Sequence, residues 1–129
     1  MILTFTVPGQ PVPWARARRM GKRYFLSDAQ QTARNAIAHA AREAVAAKGW
    51  TSMSEPVAVT LSFFLERPTR TRHKDFPMGK PDADNLGKQV LDACNGVIWD
   101  DDARVVNLSI DKRWARGDPY TLVIVSVVR

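Results

Sequence analysis

An α+β fold is expected from three features of the sequence, arranged as a small mixed or antiparallel β-sheet of about four strands packed with two helices. Four segments alternate apolar and polar side chains in steps of two. Two others repeat apolar residues every three or four positions. Stretches rich in proline and glycine separate them. With 129 residues, 45% hydrophobic and 25% charged, the chain has globular proportions, and one domain covering 1–129 is expected.

Ile2 to Val7 alternates apolar and hydroxyl side chains and makes the first strand, ended by Pro8-Gly9. Pro11 and Pro13 keep the next stretch, Gln10 to Arg23, irregular; it carries Arg16, Arg18, Arg19, Lys22 and Arg23 around Trp14. Tyr24-Phe25-Leu26 reads as a short extended piece. Ser27 or Asp28 caps a helix running from about Ala29 to Lys48, with Gly49 as its stop. The inner stripe of that helix is Ala33, Ile37, Ala41 and Val45, so it can lie close to a sheet while burying modest area per residue. Pro56 to Glu66 is the next strand, with Val57, Val59, Leu61 and Phe63 on one side. Arg67 to Lys80 has no period, and long irregular loops in small domains are usually functional or mobile. Pro81 to Gly96 is the second helix, capped by Asp82 or Asp84, with Leu86, Val90 and Ala93 at helical spacing. Val97-Ile98-Trp99 leads into a turn at Asp100-Asp101-Asp102. Val105 to Trp114 and Tyr120 to Val128 are strands, and Arg116-Gly117-Asp118-Pro119 between them predicts a hairpin.

Composition excludes several classes of protein. The one cysteine, Cys94, forbids an intrachain disulfide and a cysteine-built zinc site, and the two histidines, His39 and His73, are too few for a histidine centre. A divalent ion would have to be held mainly by carboxylates. No apolar run approaches the ~20 residues that cross a bilayer. The opening residues lack the cationic start and apolar length of a secretory signal, so a cytoplasmic protein without a membrane partner is expected. Lys and Arg number 19 against 13 Asp and Glu, a net charge of +6 that favours an anionic partner, nucleic acid before a membrane surface.

The charges are segregated. Two basic loops, 10–23 and 67–80, precede the second helix. From Asp82 to Asp102 the sign reverses, and six of the 13 acids (Asp82, Asp84, Asp92, Asp100, Asp101 and Asp102) stand against Lys88 alone. Adjacent aspartates raise one another's pKa unless a cation relieves them. Mg2+ does so with one or two carboxylates, waters and phosphate oxygens. Plainer readings exist for each residue. Asp100 to Asp102 would be solvated turn residues, one of Asp82 and Asp84 only a helix cap, and Asp84 with Lys88 a surface pair worth ~0.3–0.5 kcal/mol. Taken together, two acidic clusters beside two cationic loops make a nuclease-like pattern: carboxylates hold a metal, the metal activates water, and arginines bring in the polyanion. Asp82 and Asp84 would point the same way in an extended lead-in. Asp92 is expected to pair with Lys88 or to cap a helix contact. Trp14 is a candidate to stack on an unpaired base or to plug the space beneath its loop.

Lys80-Pro81-Asp82-Ala83-Asp84-Asn85-Leu86-Gly87-Lys88, followed by Leu91-Asp92-Ala93-Cys94-Asn95-Gly96-Val97-Ile98-Trp99 and Asp101-Asp102-Ala103-Arg104-Val105-Val106, closely resembles the signature of RusA-type endodeoxyribonucleases, the Holliday-junction resolvases common in phages and prophages. Pro11-Val12-Pro13 and Arg16-Ala17-Arg18 resemble that family's N-terminal segment, so the likeness spans most of the chain. The resemblance implies a small α+β homodimer. It also implies an endodeoxyribonuclease that uses Mg2+, with Mn2+ as a substitute, to resolve four-way DNA junctions by paired phosphodiester cleavage in recombination and repair. It places the essential, metal-holding carboxylates at Asp82, Asp84 and Asp102, a helper at Asp101, and the essential lysine at Lys88, so the chain is expected to fold back after the second helix to bring Asp102 to Asp82 and Asp84, with Lys88 aimed at the same spot. Arg16, Arg18, Arg19, Arg70, Arg72, Lys74 and Lys80 are the candidates for phosphate contacts, with Trp14 beside them. Arg104 stands where the family usually has Gln and adds a cation beside the expected metal site. Ala83 and Gly87 replace larger residues and are expected to matter little. A two-fold substrate suits a dimer, and the final strands, with Val123, Val125, Val127 and Val128, are one option for its interface. The alternatives are a non-catalytic basic DNA-binding protein and a nuclease acting on other branched DNA.

Overall fold

At the centre of the molecule lies β4 (Val57–Leu65), whose alternate residues Val57, Val59, Leu61, Phe63 and Leu65 are at most 2% exposed. The computed structural model describes all residues, 1–129. Around β4 are β1 (Ile2–Pro8), β2 (Arg18–Met20), β3 (Arg23–Phe25), α1 (Asp28–Lys48), α2 (Ala83–Cys94), β5 (Val105–Trp114) and β6 (Tyr120–Val127), with a 3-10 turn at Asp102–Arg104. The main sheet has the order β1-β6-β4-β5; β4 and β5 are parallel and the other pairs antiparallel. A four-stranded mixed sheet with two helices is the α+β class expected. Both helices cover the face that carries Leu3, Phe5, Leu61, Phe63, Val123 and Val125, and the core is built there.

β5 and β6 do not form the expected hairpin. β6 crosses over to lie between β1 and β4, and β5 runs parallel to β4 from Val57↔Val105 to Leu65↔Trp114 as an outer strand. The reason lies in what joins β4 to β5. That connection contains α2, and a strand-helix-strand unit delivers its second strand parallel to the first. β6 sends alternate residues into the core and so suits an inner position, whereas β5 keeps Val106 to Ser109 exposed and suits an edge. Val123 and Val125 are fully buried, so they cannot form the dimer surface suggested for the last strands.

The first basic loop is also more regular than expected. Arg18–Met20 pairs with Arg23–Phe25 across Gly21-Lys22. Gly21 has φ +65° as the first central residue of this two-residue turn, the left-handed position that favours glycine. α1 begins at Ser27, whose hydroxyl accepts the Gln30 N–H at 3.2 Å, and stops at Gly49 in the left-handed region. It meets α2 through Gln89, whose side-chain amide donates to the Gln30 carbonyl at 3.1 Å, and through Arg34 with Asp92 at 3.7 Å. No helix is long and apolar enough to cross a membrane.

Cys94 is buried on the inner side of α2, and burial pushes its thiol up to about 12. The thiolate is the reactive form. Cys94 is therefore expected to resist maleimide at neutral pH in the folded protein and to react once urea unfolds it, which mass spectrometry reads directly.

Candidate active site at the start of the second helix

The second basic loop ends in a cis Lys80–Pro81 peptide bond, and Asp82 starts α2 as its N-cap residue. Asp82 has the extended backbone of a cap but makes no side-chain cap hydrogen bond. Its carboxylate instead accepts the Lys80 ammonium at 2.9 Å, beside an open groove lined by Pro11, Pro13, Trp14, Pro81 and Asn85. Asp84 is exposed in the first turn, where negative charge suits the helix dipole. The hydrogen bond and charge of Asp82, with a smaller contribution from the charge of Asp84, hold the Lys80 pKa above its ordinary value.

Lys88 does not pair with Asp84. Its Nζ sits 3.7 Å from the centre of the Trp14 ring, and the Trp14 N–H donates to the Asn85 carbonyl at 2.9 Å. The N-terminal basic loop is thereby held over α2, and the indole face carries a cation.

Lys112 escaped the sequence reading. Leu108, Ile110, Lys112 and Trp114 share the helix-facing side of β5, opposite the buried Val59, Leu61, Phe63 and Leu65. The Lys112 ammonium donates to the carbonyls of Gly79 at 2.9 Å and Pro81 at 2.8 Å, and Trp114 Nε1 donates to the His73 carbonyl at 2.7 Å. These bonds pin the second basic loop and the entrance of α2 to β5. The legible signal was a lysine at a core-facing position of a strand.

Asp101 and Asp102 lie at the other end of α2. Asp101 caps the 3-10 turn by accepting the Ala103 N–H at 3.0 Å. Asp102 stands beside Asn95 and Asp92. Partial burial, followed by the hydrogen bond and charge of Asp101, holds its carboxyl above the usual range. Asp100 is drawn aside, accepting Ser54 Oγ at 2.7 Å and Arg104 Nε at 2.8 Å, bonds that hold its pKa below the usual carboxylate value. Arg104 is thus occupied by Asp100. Asp92 pairs with Arg34 rather than Lys88. Gly87 is buried against β5, where a Cβ would overlap Ile110, so its small size matters to the packing.

The expected gathering of Asp82, Asp84 and Asp102 does not occur within one chain. The 12 residues of α2, rising ~18 Å, separate the two groups. The turn after α2 is too tight to bring the chain back, since the Gly96 N–H already reaches the Trp99 carbonyl at 2.7 Å. The return is made by β5, after Asp102. No three His, Cys, Asp or Glu side chains form a metal-holding group. The two carboxylates at the helix start match the one or two that Mg2+ takes alongside waters and phosphate oxygens.

Arg16, Arg18, Arg19, Arg70, Arg72 and Lys74 are exposed and have no acidic partner, while Lys80 is engaged by Asp82. A broad cleft at the end of the sheet adds Arg67, Arg113 and Arg116 to Lys74, around the stacked rings of Phe64 and Tyr120 (centroids 4.4 Å apart). Its signal in the sequence was the run Lys112-Arg113-Trp114-Ala115-Arg116.

The fold is α+β, and the acidic start of α2 is reached by both basic loops, one tied to it through Trp14 and Asn85 and the other leading directly into it. The chain belongs to the endodeoxyribonuclease RusA family, whose model matches residues 8–126. That membership indicates endodeoxyribonuclease activity. No curated protein matches the chain.

Proposed function

We propose that the protein is a Mg2+-dependent endodeoxyribonuclease that resolves four-way DNA junctions by two opposed phosphodiester cuts, serving recombination and repair. It acts in the cytoplasm as a homodimer, with residues 1–129 as one domain. Asp82 and Asp84 would hold the metal, Asp101 and Asp102 would join them from the other chain of the homodimer, since one chain does not bring the two groups together, and Mn2+ could replace Mg2+. When bound there, Mg2+ would supply a water of lowered pKa and relief of charge on the phosphate. A water oxygen bonds to phosphorus, the bond to a deoxyribose oxygen breaks, and the proton ends on that oxygen. Lys88 stabilises the charge that builds on the phosphate. The loop cations hold the arms through their phosphates, which gives affinity without sequence and makes it fall with salt.

The observation that carries this reading is the Asp82 carboxylate. It stands at a helix start without capping it, beside an open groove and between cationic loops of a chain in this nuclease family. The test compares a synthetic four-way junction with a linear duplex, each with wild-type protein in Mg2+ and in EDTA. Paired cuts in the junction alone, and only with metal, are expected. Equal cutting of both substrates would mark a nuclease indifferent to branching, and binding without cutting in Mg2+ or Mn2+ would mark a non-catalytic DNA-binding protein.

Lys112→Met keeps the side-chain stem and removes both donors to the entrance of α2. Each hydrogen bond from a charged donor is worth ~1.5–3 kcal/mol, so the melting temperature is expected to fall. Cutting is expected to drop ~10–100-fold, as when groups that orient metal ligands are lost. Gel assays below the variant's melting temperature separate the two effects.

A further inference from the structure

The broad cleft at the end of the sheet takes no part in the cutting chemistry described above. Its volume is roughly 820 Å³, within the range of sites that take a small molecule. We propose that it holds one unpaired nucleotide of a DNA strand, with the base on its aromatic lining and the neighbouring phosphates on its arginines.

The lining is aromatic from two sides. Phe64 and Tyr120 are opposite one another on β4 and β6, and Arg113 is opposite Phe64 on β5. They alternate with the buried Phe63, Leu65 and Thr121, so they stand on the sheet face that the helices leave open. The two rings stack with planes 12° from parallel. Phe76 lines the cleft from the second basic loop, is 59% exposed and lies outside the core. Every base has a π face for such rings, and in a duplex that face is covered by its neighbours. The lining therefore serves a base that has left its stack.

The charges suit a nucleotide better than bare phosphate. Arg67, Lys74 and Arg116 line the cleft without an acidic partner, and Arg113 gives Asp111 its Nε alone. Free guanidinium nitrogens take phosphate in a fork. Asp75 and Asp118 also line the cleft. A carboxylate repels phosphate but accepts the N–H hydrogens of a base.

The cleft lies next to the candidate active site without being part of it. The loop that supplies Lys74, Asp75 and Phe76 runs on to Gly79 and Pro81, which Lys112 pins at the entrance of α2. The chain from Phe76 to Asp82 spans at most ~22 Å. A strand that leaves its complement at a branch reaches both places, so the cleft favours DNA with parted strands over an unbroken duplex.

Binding in EDTA tests this apart from cutting. A short fluorescein-labelled oligothymidylate is titrated by anisotropy against the wild type, Phe76→Ala, Arg116→Gln and Arg42→Gln. All three side chains are exposed, and unchanged melting temperatures confirm the fold. Phe76→Ala is expected to weaken binding ~5–150-fold, the effect of one lost base–aromatic stack. Arg116→Gln is expected to weaken it ~10-fold or more, as for a lost bond to a charged group. Arg42, on α1 across the other face of the sheet, is the control for general charge and is expected to matter little. A strand of the same length without bases is expected to bind the wild type as weakly as oligothymidylate binds Phe76→Ala. Equal affinity of the wild type and Phe76→Ala for oligothymidylate overturns the proposal. So does equal affinity of the wild type for strands with and without bases, which would mark a cleft for backbone charge alone. A loss in Arg42→Gln as large as in Arg116→Gln overturns it as well. A wild type that binds as expected but cuts no junction upholds the cleft and removes the cutting function. Junction cutting with oligothymidylate affinities unmoved by these variants does the reverse.

Discussion

Asp82→Asn is expected to bind a four-way junction at least as tightly as the wild type and to cut it more than ~100-fold more slowly, the scale on which a preorganised charge contact is lost. The substitution keeps the shape of the side chain and removes its charge. Near phosphate that charge opposes binding, so its loss favours the complex. Metal holding needs it, because a hard cation is drawn to ionised oxygen. The fold gives little reason for the slowdown. Asp82 makes no cap hydrogen bond, and its one polar partner is Lys80, a highly exposed ammonium at 2.9 Å. Exposed pairs of this kind contribute little to stability. Lys80→Met separates the two explanations. It breaks the same pair while leaving the carboxylate, and is expected to weaken binding with little change in the cutting rate of bound DNA. Single-turnover cutting with saturating protein, together with a filter-binding titration, measures both quantities. Equal product from the wild type and Asp82→Asn would remove Asp82 from the chemistry.

Local patterns in the sequence carry most of the elements. The period of two in β1, β4 and β6 is the inward-outward alternation of a sheet covered on one face. Ser27 and Gly49 mark α1 because they supply a hydroxyl acceptor and a left-handed backbone. The partner of each strand was less visible. Arg116-Gly117-Asp118-Pro119 is a turn, but whether the strand after it folds back on β5 depends on which neighbour buries more of its apolar face. β6 gains both β1 and β4 by crossing over.

The site was legible residue by residue and illegible as a shape. Asp82, Asp84, Asp101 and Asp102 all stand at ends of elements, as Asp in turns and caps must. Their distances depend on how sharply the chain leaves α2. That is set by Trp50, whose Nε1 donates to the Ile98 carbonyl from far away in the sequence, at 2.9 Å. No local pattern announces such a contact. Lys112 was overlooked for a related reason: its partners are backbone carbonyls, which carry no residue signature.

Trp99→Ala is expected to be the most damaging single truncation, at ~3–5 kcal/mol, as for large aromatic side chains removed from a core. The melting temperature would fall by on the order of 10 °C in a chain of this size. Trp99 is fully buried and leads the fully buried side chains in volume. It also directs the chain. Its Nε1 donates to Asn95 Oδ1 at 2.9 Å, its carbonyl accepts the Gly96 N–H, and Asp100 to Asp102 follow it. Asn95 in turn reaches Asp102, so the tryptophan and the carboxylate share one amide. Trp99→Phe tests that link with less loss of volume. It should cost less stability than Trp99→Ala while freeing Asn95 Oδ1, and any larger fraction of cutting lost than stability lost would trace to Asp102. Urea titrations with equal slopes, followed by cutting assays well below each midpoint, compare the two variants. A Trp99→Ala protein that melts within a few degrees of the wild type would show that the turn after α2 is held elsewhere, and the placement of Asp102 would then need another cause.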